Sequence, residues 1–230
     1  MKNEINIIAL DGPAASGKST LGERLANYLG FVYLDTGVMY RAVTLAVLKQ
    51  NVDVEDETSV VQVAEKMDLD FCPPSCSDGR SNDVILEGED VTWQIRKPEV
   101  EAYVSLVSTY PGVRNAMTMQ QRKIASKGGI VMVGRDIGTV VLPNADLKIY
   151  LDASVEVRAE RRYNELIHRN QNPDFDFILS DLKRRDEIDS TRTVAPLKPA
   201  SDAIIIDSNK MDAEQVFQNL VDIIKTRKLN

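Results

Sequence analysis

The sequence predicts a three-layer α/β fold, in which helices cover a five-stranded parallel sheet. Short apolar runs alternate with amphipathic stretches along most of the chain, which is typical of parallel strands joined by crossover helices. The 230 residues, 43% of them hydrophobic and 27% charged, have an ordinary globular composition that allows one large domain carrying an insert. A glycine-rich turn also separates the first apolar run from the first amphipathic stretch.

The amino-terminal part of the chain contains two predicted strands and three predicted helices. The apolar run at residues 5–10 predicts the first strand, and leucines at helical spacing predict a helix that ends at Gly30. Residues 31–34 predict the second strand. An apolar face over residues 39–47 predicts the next helix, and residues 58–67 predict a shorter one.

Residues 68–93 interrupt this alternation. They contain a Pro-Pro pair, a glycine, an Asn-Asp pair and two strand-like pieces at residues 68–71 and 84–87, so we predict a small β-rich insert. Pro98 and Pro111 then suit the first turns of two helices.

Three further strands complete the predicted sheet. The apolar runs at residues 130–133, 147–151 and 203–206 predict them, and apolar residues at helical spacing after the last run predict a closing helix. Between the last two strands, the charged stretches 156–163 and 181–189 predict a pair of helices.

Composition excludes several kinds of site. The chain contains two cysteines, Cys72 and Cys76, and one histidine, His168. The four closely spaced ligands of a structural zinc site are therefore missing, and a nucleophilic hydrolase would depend on His168 alone, which we expect to be a surface residue. We expect the two cysteines to remain unpaired thiols in a loop.

Charge and hydropathy constrain the partners and the location of the protein. The net charge of −7 argues against sequence-independent DNA binding, so we expect no nucleic-acid partner. No apolar run approaches the roughly 18 residues of a membrane span. Residues 1–4 lack the layout of a signal peptide. We therefore expect a soluble cytoplasmic protein with no membrane partner.

A phosphate-binding motif lies between the first strand and the first helix. The pattern G-x-x-x-x-G-K-[ST] is matched by Gly12, Pro13, Ala14, Ala15, Ser16, Gly17, Lys18 and Ser19. The backbone N–H groups of such a loop and the positive end of the helix cradle the β- and γ-phosphates of a nucleotide, and Lys18 adds a charge. The Ser19 hydroxyl is a ligand for Mg²⁺, and we assign Thr20, the next helical residue, to the same site.

Three reaction classes use this loop: small-molecule kinases, GTPase switches and ATPase motors. Residues 209–212 match the guanine-reading pattern N-K-x-D, but no aspartate in the chain is followed by glycine three positions later, so the D-x-x-G switch is missing. We predict instead that Asp212 caps the closing helix, with Glu214 in its first turn. A motor would need a second acidic motif at the end of a strand.

Nine arginines in loops and at helix ends favour a kinase. Phosphoryl transfer needs charge neutralisation more than covalent chemistry, and guanidinium groups match pairs of phosphate oxygens. Each arginine alone is best explained as a surface charge, but as a group they indicate two bound phosphate chains. They are Arg41, Arg114, Arg135, Arg158, Arg161, Arg162, Arg184, Arg185 and Arg192.

The two charged helices predict a mobile lid. A flap that closes arginines over the donor nucleotide excludes water, which would otherwise hydrolyse it. We therefore assign Arg158, Arg161 and Arg162 to the donor nucleotide. The alternative is a salt-bridged helical hairpin without that role.

Together these motifs resemble the bacterial cytidylate kinases, of the nucleoside monophosphate kinase group, over nearly the whole chain. The resemblance rests on residues 10–13 leading into the phosphate-binding loop and on residues 34–41, 86–91, 134–141, 185–189 and 192–197. It implies a P-loop fold with strand order 2-3-1-4-5 and transfer of the ATP γ-phosphoryl group to CMP or dCMP. It also implies Mg²⁺ as the cofactor, and we expect a monomer.

The resemblance divides the chain into functional regions. It places an acceptor-binding insert at residues 67–96 and a lid at residues 158–194. The core is then formed by residues 1–66, 97–157 and 195–230.

The resemblance also implies roles for single residues. Those that hold the acceptor phosphate are Thr36, Arg41, Arg135 and Arg192. Arg185 and Asp189 contact the ribose, and the residues that read cytosine are Ser105, Arg114 and Asp136, with Tyr40 in the same site. The catalytic charges are Lys18, Arg41, Arg135 and Arg192. The chemistry agrees, because cytosine offers an amino donor to Asp136 and acceptors to Arg114, whereas a uracil carbonyl would be repelled by Asp136.

Two features distinguish this chain within the family pattern. Thr36 stands where some members have serine, and the segment 72–82 is longer than we expect in the insert. Both bear on how tightly the acceptor is held.

The alternative function is a regulatory nucleotide-binding protein that changes shape without an acceptor, and the missing D-x-x-G switch argues against it.

Overall fold

The computed structural model describes residues 5–229, so the prediction about a signal peptide in residues 1–4 lies outside the described residues. By their internal contacts, the described residues form two compact units. The first contains residues up to Leu34 and from Ala125 onward, and the second contains Asp35–Ile124.

The described residues include eight strands and eight helices of ten residues or more. The strands are β1 (Ile7–Asp11), β2 (Val32–Asp35), β3 (Leu69–Cys72), β4 (Asp83–Leu86), β5 (Glu89–Asp90), β6 (Ile130–Gly134), β7 (Leu147–Asp152) and β8 (Ile204–Asp207). The helices are α1 (Lys18–Leu29), α2 (Thr36–Lys49), α3 (Glu57–Lys66), α4 (Pro98–Val107), α5 (Pro111–Ala125), α6 (Val155–His168), α7 (Phe175–Thr191) and α8 (Ala213–Leu229). There are also a 3₁₀ turn over Gln94–Arg96 and a π-helical turn over Ile137–Val141.

The first unit is built on a sheet with strand order β2-β6-β1-β7-β8. Counted along the chain among these five strands alone, the order is 2-3-1-4-5, as the resemblance implied. β1 lies at the centre, and its parallel register with β6 runs from Ile7 opposite Ile130 to Asp11 opposite Gly134. The predicted α/β class with a five-stranded parallel sheet is confirmed, and the carboxyl ends of β1 and β6 lie side by side.

The core of the first unit lies between this sheet and helices α1 and α8. Leu10, Leu25, Val133 and Leu220 are wholly buried in it. A Cβ on Gly22 would lie 2.4 Å from the Cγ2 atom of Val133, so glycine allows α1 to approach β6 closely. Each large apolar side chain contributes about 1.5–3 kcal/mol by leaving water.

Several strands are one residue longer at their carboxyl ends than the apolar runs predict. β1, β7 and β8 end at Asp11, Asp152 and Asp207, and β2 ends at Asp35. The backbone hydrogen bonds of the sheet do not depend on apolar side chains, so they continue for one residue past the last apolar position. The polar residues at the carboxyl edge of the sheet are therefore part of the strands. The first strand also begins at Ile7 rather than at residue 5.

The second unit combines helices with a small antiparallel sheet. α2 packs against α3, α4 and the 3₁₀ turn, and β4 lies between β3 and β5, with Leu69 opposite Leu86. Val84, Leu86 and Ile95 are buried. The prediction of β strands in the segment 68–93 is confirmed.

An arginine fixes the irregular loop between β3 and β4. The Arg80 side chain is only 6% exposed and forms ion pairs with Asp78, Asp83 and Asp90. The Trp93 indole N–H also donates to Asp78, at 2.8 Å. Hydrogen bonds from Arg80 and Thr92 hold the pKa of Asp90 low, at about 2, with those from Thr92 the larger cause.

Two predictions about rare residues can be compared with the structure. Both cysteines carry free thiols, as expected, although Cys72 ends β3 instead of lying in a loop. His168 is exposed at the end of α6. Among the helices of the described residues, none combines the length and the apolar character needed to cross a membrane.

Candidate active site

The phosphate-binding loop connects the central strand β1 to helix α1. A Cβ on Gly12 would lie 2.3 Å from the carbonyl oxygen of Leu151, so only glycine lets the loop pass this close to β7. Gly17, with φ of 92°, occupies the left-handed region just before Lys18, the first residue of α1. The loop therefore bends around a helix N-terminus, whose first N–H groups have no partner within the helix.

Lys18 folds back over its own loop. Its Nζ atom donates to the carbonyl oxygen of Pro13 at 2.7 Å, and the residue is buried. Ser19 and Thr20 follow in the first turn of α1 and are exposed. The ammonium group is thus held at the loop, and Ser19 and Thr20 lie at the surface.

The donor set at this loop fits Mg²⁺ bound together with a nucleotide. The Ser19 hydroxyl is a hard oxygen ligand. Over residues 5–229, no group of three or more His, Cys, Asp or Glu side chains is placed to hold a metal ion. Most ligands of the ion would therefore be phosphate oxygens and water, which is the arrangement that Mg²⁺ favours in kinases.

Helices α6 and α7 pack on the phosphate-binding loop. Ala14 of the loop shares a buried cluster with Ala159 of α6 and with Ile178 and Leu182 of α7. The predicted pair of charged helices is therefore present, and α6 and α7 contact each other and the loop within the first unit.

Two arginines of α6 bond to the backbone of the loop. The Arg158 guanidinium donates to the carbonyl oxygens of Ala14, at 3.0 Å, and Ala153, at 2.9 Å, and pairs with Asp186 of α7. Arg161 donates to the carbonyl oxygen of Ser16 at 3.2 Å. These contacts attach both arginines to the outside of the loop, and their contact with a donor nucleotide stays a prediction.

The arginines of α6 and α7 also have contacts outside the loop. Arg161 also donates to the carbonyl oxygen of Ser208 at 2.6 Å, and its burial lowers its pKa. Arg162 pairs with Glu165 on the same helix. On α7, Arg185 lies 3.9 Å from Asp181.

Two arginines and two carboxylates gather beyond the carboxyl end of β6. Arg135 donates to Asp189 at 2.8 Å, and the Arg192 guanidinium lies 3.5 Å from Asp189 and 3.6 Å from Asp136. Burial alone would raise the pKa of Asp189, but the charges of Arg135, Arg192 and Arg185 outweigh it and lower the pKa below its ordinary value. The structure thus brings together four residues of the predicted acceptor set, the first and last of which lie 57 positions apart in the sequence.

The second unit holds the other predicted acceptor residues. Thr36 is the buried first residue of α2, and the Asp35 carboxylate caps this helix by accepting from the N–H of Gly37 at 2.9 Å. Arg41, on the same helix, forms an ion pair with Glu101 of α4. The cap and the ion pair fix the first two turns of α2.

Arg114 connects α5 to α2 and α4 within the same unit. Its guanidinium carbon lies 5.3 Å from the ring centroid of Tyr40, and it donates to the carbonyl oxygen of Ser108 at 2.9 Å. The Ser108 hydroxyl in turn donates to the carbonyl oxygen of Ser105 at 2.9 Å. Arg114 is therefore linked to the backbone of Ser105 through Ser108, at the end of α4.

Three carboxylates that contact predicted site residues or their direct neighbours were not predicted from the sequence. Asp186 binds Arg158, Glu101 binds Arg41, and Asp11 accepts from the backbone just after Asp136. Asp186 carried a signal, since it lies three residues before Asp189 and so on the same helix face. Glu101 carried none, because its partner is 60 residues away.

Residues 209–212, which resemble a guanine-reading motif, have structural contacts. The Asn209 side chain accepts from the N–H of Ser154 at 2.8 Å. Asp212 accepts from the N–H of Gln215 at 2.8 Å, and the Gln215 side chain accepts from the N–H of Asp212 at 3.0 Å. This reciprocal pair is a capping box, so the predicted cap of the closing helix is confirmed.

Comparison with known proteins decides the family. The model of the cytidylate kinase family matches residues 8–226. A cytidylate kinase from Geobacillus sp. is 46% identical over 227 residues, covering 99% of each chain. The chain belongs to the cytidylate kinase family. Another cytidylate kinase, from Chloroflexus aggregans, is 50% identical over 199 residues, covering 86% of this chain and 85% of the other.

One solved structure supports the fold of this cytidylate kinase family member, and a second is reported for its similarity alone. An uncharacterized protein from Eubacterium ventriosum is 14% identical, covers 96% of this chain and 99% of its own, and has a TM-score of 0.51. A shikimate kinase from Acinetobacter baumannii in complex with shikimate is 21% identical, covers 98% of this chain and 96% of its own, and has a TM-score of 0.46.

Proposed function

We propose that this chain transfers the γ-phosphoryl group of ATP to CMP or dCMP, giving ADP and CDP or dCDP. One observation of the structure carries the proposal. The cluster of Arg135, Asp136, Asp189 and Arg192 follows the end of β6, next to the end of β1, where the phosphate-binding loop begins. A donor loop and an acceptor cluster on neighbouring strand ends suit transfer between two bound nucleotides.

The donor side of the reaction depends on the loop and on charge. We propose that residues 12–17 and Thr20 bind the phosphates of ATP, with Ser19 as the protein ligand of Mg²⁺. The bound ion neutralises charge on the β- and γ-phosphates. Lys18 adds a cation at a fixed position, and Arg158, Arg161 and Arg162 of the lid helices are proposed to bind the donor when it is present.

Each predicted acceptor-side residue has its own proposed role. Thr36, Arg41, Arg135 and Arg192 are proposed to bind the acceptor phosphate, whose negative charge the three arginines would neutralise. Arg185 and Asp189 are proposed to bind the ribose. The proposed readers of the cytosine ring are Ser105, Arg114 and Asp136, with Tyr40 packed beside Arg114.

The remaining proposals concern organisation. We propose that residues 67–96 act as the acceptor-binding insert and residues 158–194 as the lid, and that the protein works as a monomer in the cytoplasm. The packing of α6 and α7 on the loop supports the lid, because a segment in contact with the loop is placed to cover a donor there.

Acceptor dependence tests the proposed function. ADP release from Mg-ATP is measured separately with CMP, dCMP, UMP, AMP, dTMP or no acceptor. We expect rapid turnover mainly with CMP and dCMP, and little without an acceptor. Slow and equal ADP release in every tube would indicate an acceptor-independent nucleotide-binding protein and would contradict the proposal.

A further inference from the structure

The π-helical turn that follows Asp136 has an unusual cap. The Asp136 carbonyl oxygen accepts from the N–H groups of Val140, at 2.9 Å, and Val141, at 3.1 Å, so Asp136 is the residue that begins the turn. A short carboxylate at this position ordinarily accepts from the next free N–H groups. Within the described part of the chain, the Asp136 carboxylate accepts no such capping hydrogen bond.

Asp11 supplies the cap from the neighbouring strand. Its Oδ1 atom accepts from the N–H of Ile137 at 2.8 Å, and its Oδ2 atom accepts from the N–H of Gly138 at 2.7 Å. A Cβ on Gly138 would lie 3.3 Å from this Oδ2 atom, so glycine permits the close approach. Asp11 therefore satisfies both N–H groups that follow Asp136.

We infer that Asp11 is a positioning residue for acceptor selectivity. Asp11, instead of the Asp136 carboxylate, accepts hydrogen bonds from the first N–H groups of the π-helical turn. The Asp136 carboxylate then lies 3.6 Å from the Arg192 guanidinium, on the acceptor side. This inference rests on the proposed function, in which Asp136 reads the cytosine amino group. If Asp11 lost its second acceptor, the carboxylate of Asp136, the residue that precedes the turn, could replace it, and base reading would weaken.

The electrostatics of Asp11 give the inference a second readout. The charged groups that act on it are Lys18 and Asp136, and the Asp11 charge in turn contributes to the raised pKa of the Tyr150 phenol. Burial raises the pKa of Asp11 to about 6, against the opposing effect of the two N–H donors. Protonation would turn one carboxylate oxygen into a hydroxyl, which is a poor acceptor for a second N–H group.

The test compares CMP and UMP binding by calorimetry in the whole chain. Asp11→Asn keeps the volume but replaces one acceptor oxygen with an NH₂ group that opposes an N–H donor. We expect the ratio of UMP to CMP dissociation constants to fall about tenfold, as for loss of one hydrogen bond to a charged group. In the unmodified protein the ratio should also fall as pH drops through about 6, and this step should be absent from Asp11→Asn.

Two controls separate positioning from general damage. Asp146 accepts from the N–H groups of Asn6 and Ile7 through its Oδ2 atom, at 2.9 and 2.8 Å, at the other end of β1, so Asp146→Ala loses a comparable cap and should leave the ratio unchanged. In an Asp136→Asn background, adding Asp11→Asn should cause no further loss of selectivity, because Asp11 acts through Asp136.

Three results would overturn the inference: an unchanged ratio in Asp11→Asn, an additive loss in the Asp136→Asn background, or a pH step that persists in Asp11→Asn. If Asp11→Asn does not fold, Gly138→Ala perturbs the same contact and should lower the ratio in the same direction. Failure of the unmodified protein to bind CMP would instead contradict the proposed function, so the two failures are distinguishable.

Discussion

The Lys18 ammonium lies 2.7 Å from the Pro13 carbonyl oxygen, inside the loop that begins α1. Its charge is therefore held in place before any nucleotide binds, and little reorganisation is needed when charge develops on the transferred group. We expect Lys18→Ala to lower kcat at least about 10²- to 10³-fold with CMP as acceptor. Steady-state kinetics measure this change.

A matched lysine variant checks that the loss is specific. Lys225 is exposed on α8, and Lys225→Ala should leave kcat and the melting temperature unchanged. Near-normal turnover by Lys18→Ala would exclude the ammonium from the reaction. Thermal unfolding of both variants distinguishes a catalytic loss from a folding defect.

At this scale, residues with local partners could be predicted and residues with distant partners could not. The phosphate-binding motif spans eight consecutive residues, and the Asp212 cap joins two residues three positions apart. Both can therefore be recognised from the local sequence. Asp11 contacts Ile137, 126 positions away, and no pattern in the sequence around Asp11 indicates that contact. The identity of the site was therefore predictable from sequence, whereas the carboxylates that support it were not.

Helix α7 presents Asp186 and Asp189 on one face, and each binds an arginine of the proposed site. Asp186→Asn removes the charge opposite Arg158, whose guanidinium also bonds to the loop carbonyl of Ala14. We expect the KM for ATP to rise about threefold to tenfold, as for loss of a partly buried charged hydrogen bond. We expect faster amide hydrogen exchange in α7.

The same helix offers a control of equal exposure. The Asp181 side chain is 29% exposed, like that of Asp186, but pairs with the exposed Arg184. Asp181→Asn should change the KM for ATP less than twofold, since surface ion pairs contribute roughly 0–1 kcal/mol. Equal effects of the two variants would show that Asp186 has no particular link to the loop.

The insert depends on one cation shared by three carboxylates. Arg80→Met leaves Asp78, Asp83 and Asp90 close together without that charge. We expect faster hydrogen exchange over residues 73–82 and a higher KM for CMP, with the KM for ATP unchanged, because the insert is proposed to bind the acceptor. Lys97→Met, at an exposed position just beyond the insert, is the control. A rise in the KM for ATP alone would contradict this role.

Elements were predictable where periodicity extended over several turns or a full strand. The irregular loop of the insert was not, because its order comes from Arg80 and acidic residues on both sides of β4 rather than from any apolar pattern. Strand ends were misjudged by one residue for a related reason, since backbone pairing continues into polar positions such as Asp152.

The pH dependence of the stability of the whole molecule contains contributions of opposite sign, from carboxyl groups with lowered pKa values and from one with a raised pKa. Cations and hydrogen bonds lower the pKa of Asp83, Asp90 and Asp202, and this stabilisation is present above their unfolded pKa and lost as pH falls through the lower folded values. Asp11 has the opposite sign. Its raised pKa gives a stabilisation that is present below its ordinary value of 3.8 and lost as pH rises through about 6.

Removing the Asp11 carboxylate isolates its contribution. The free energy of unfolding of Asp11→Asn, minus that of the unmodified protein, should increase by about 2 kcal/mol from pH 4 to pH 8. Only the unmodified protein must ionise a buried acid over this range. Urea titrations at several pH values measure the difference. A constant difference across this range would place the Asp11 pKa near its ordinary value.

The central position of β1 has a consequence during synthesis on the ribosome. Its neighbours β6 and β7 begin at Ile130 and Leu147, so the first strand to emerge waits for more than half the chain. At about 5–20 residues per second, the wait is on the order of ten seconds. Residues 35–124 are contiguous, and their mutual contacts become available earlier. The apolar strand Ile7-Ile8-Ala9-Leu10 is thus a segment that a nascent-chain chaperone would meet unpaired, and slower translation would prolong its exposure.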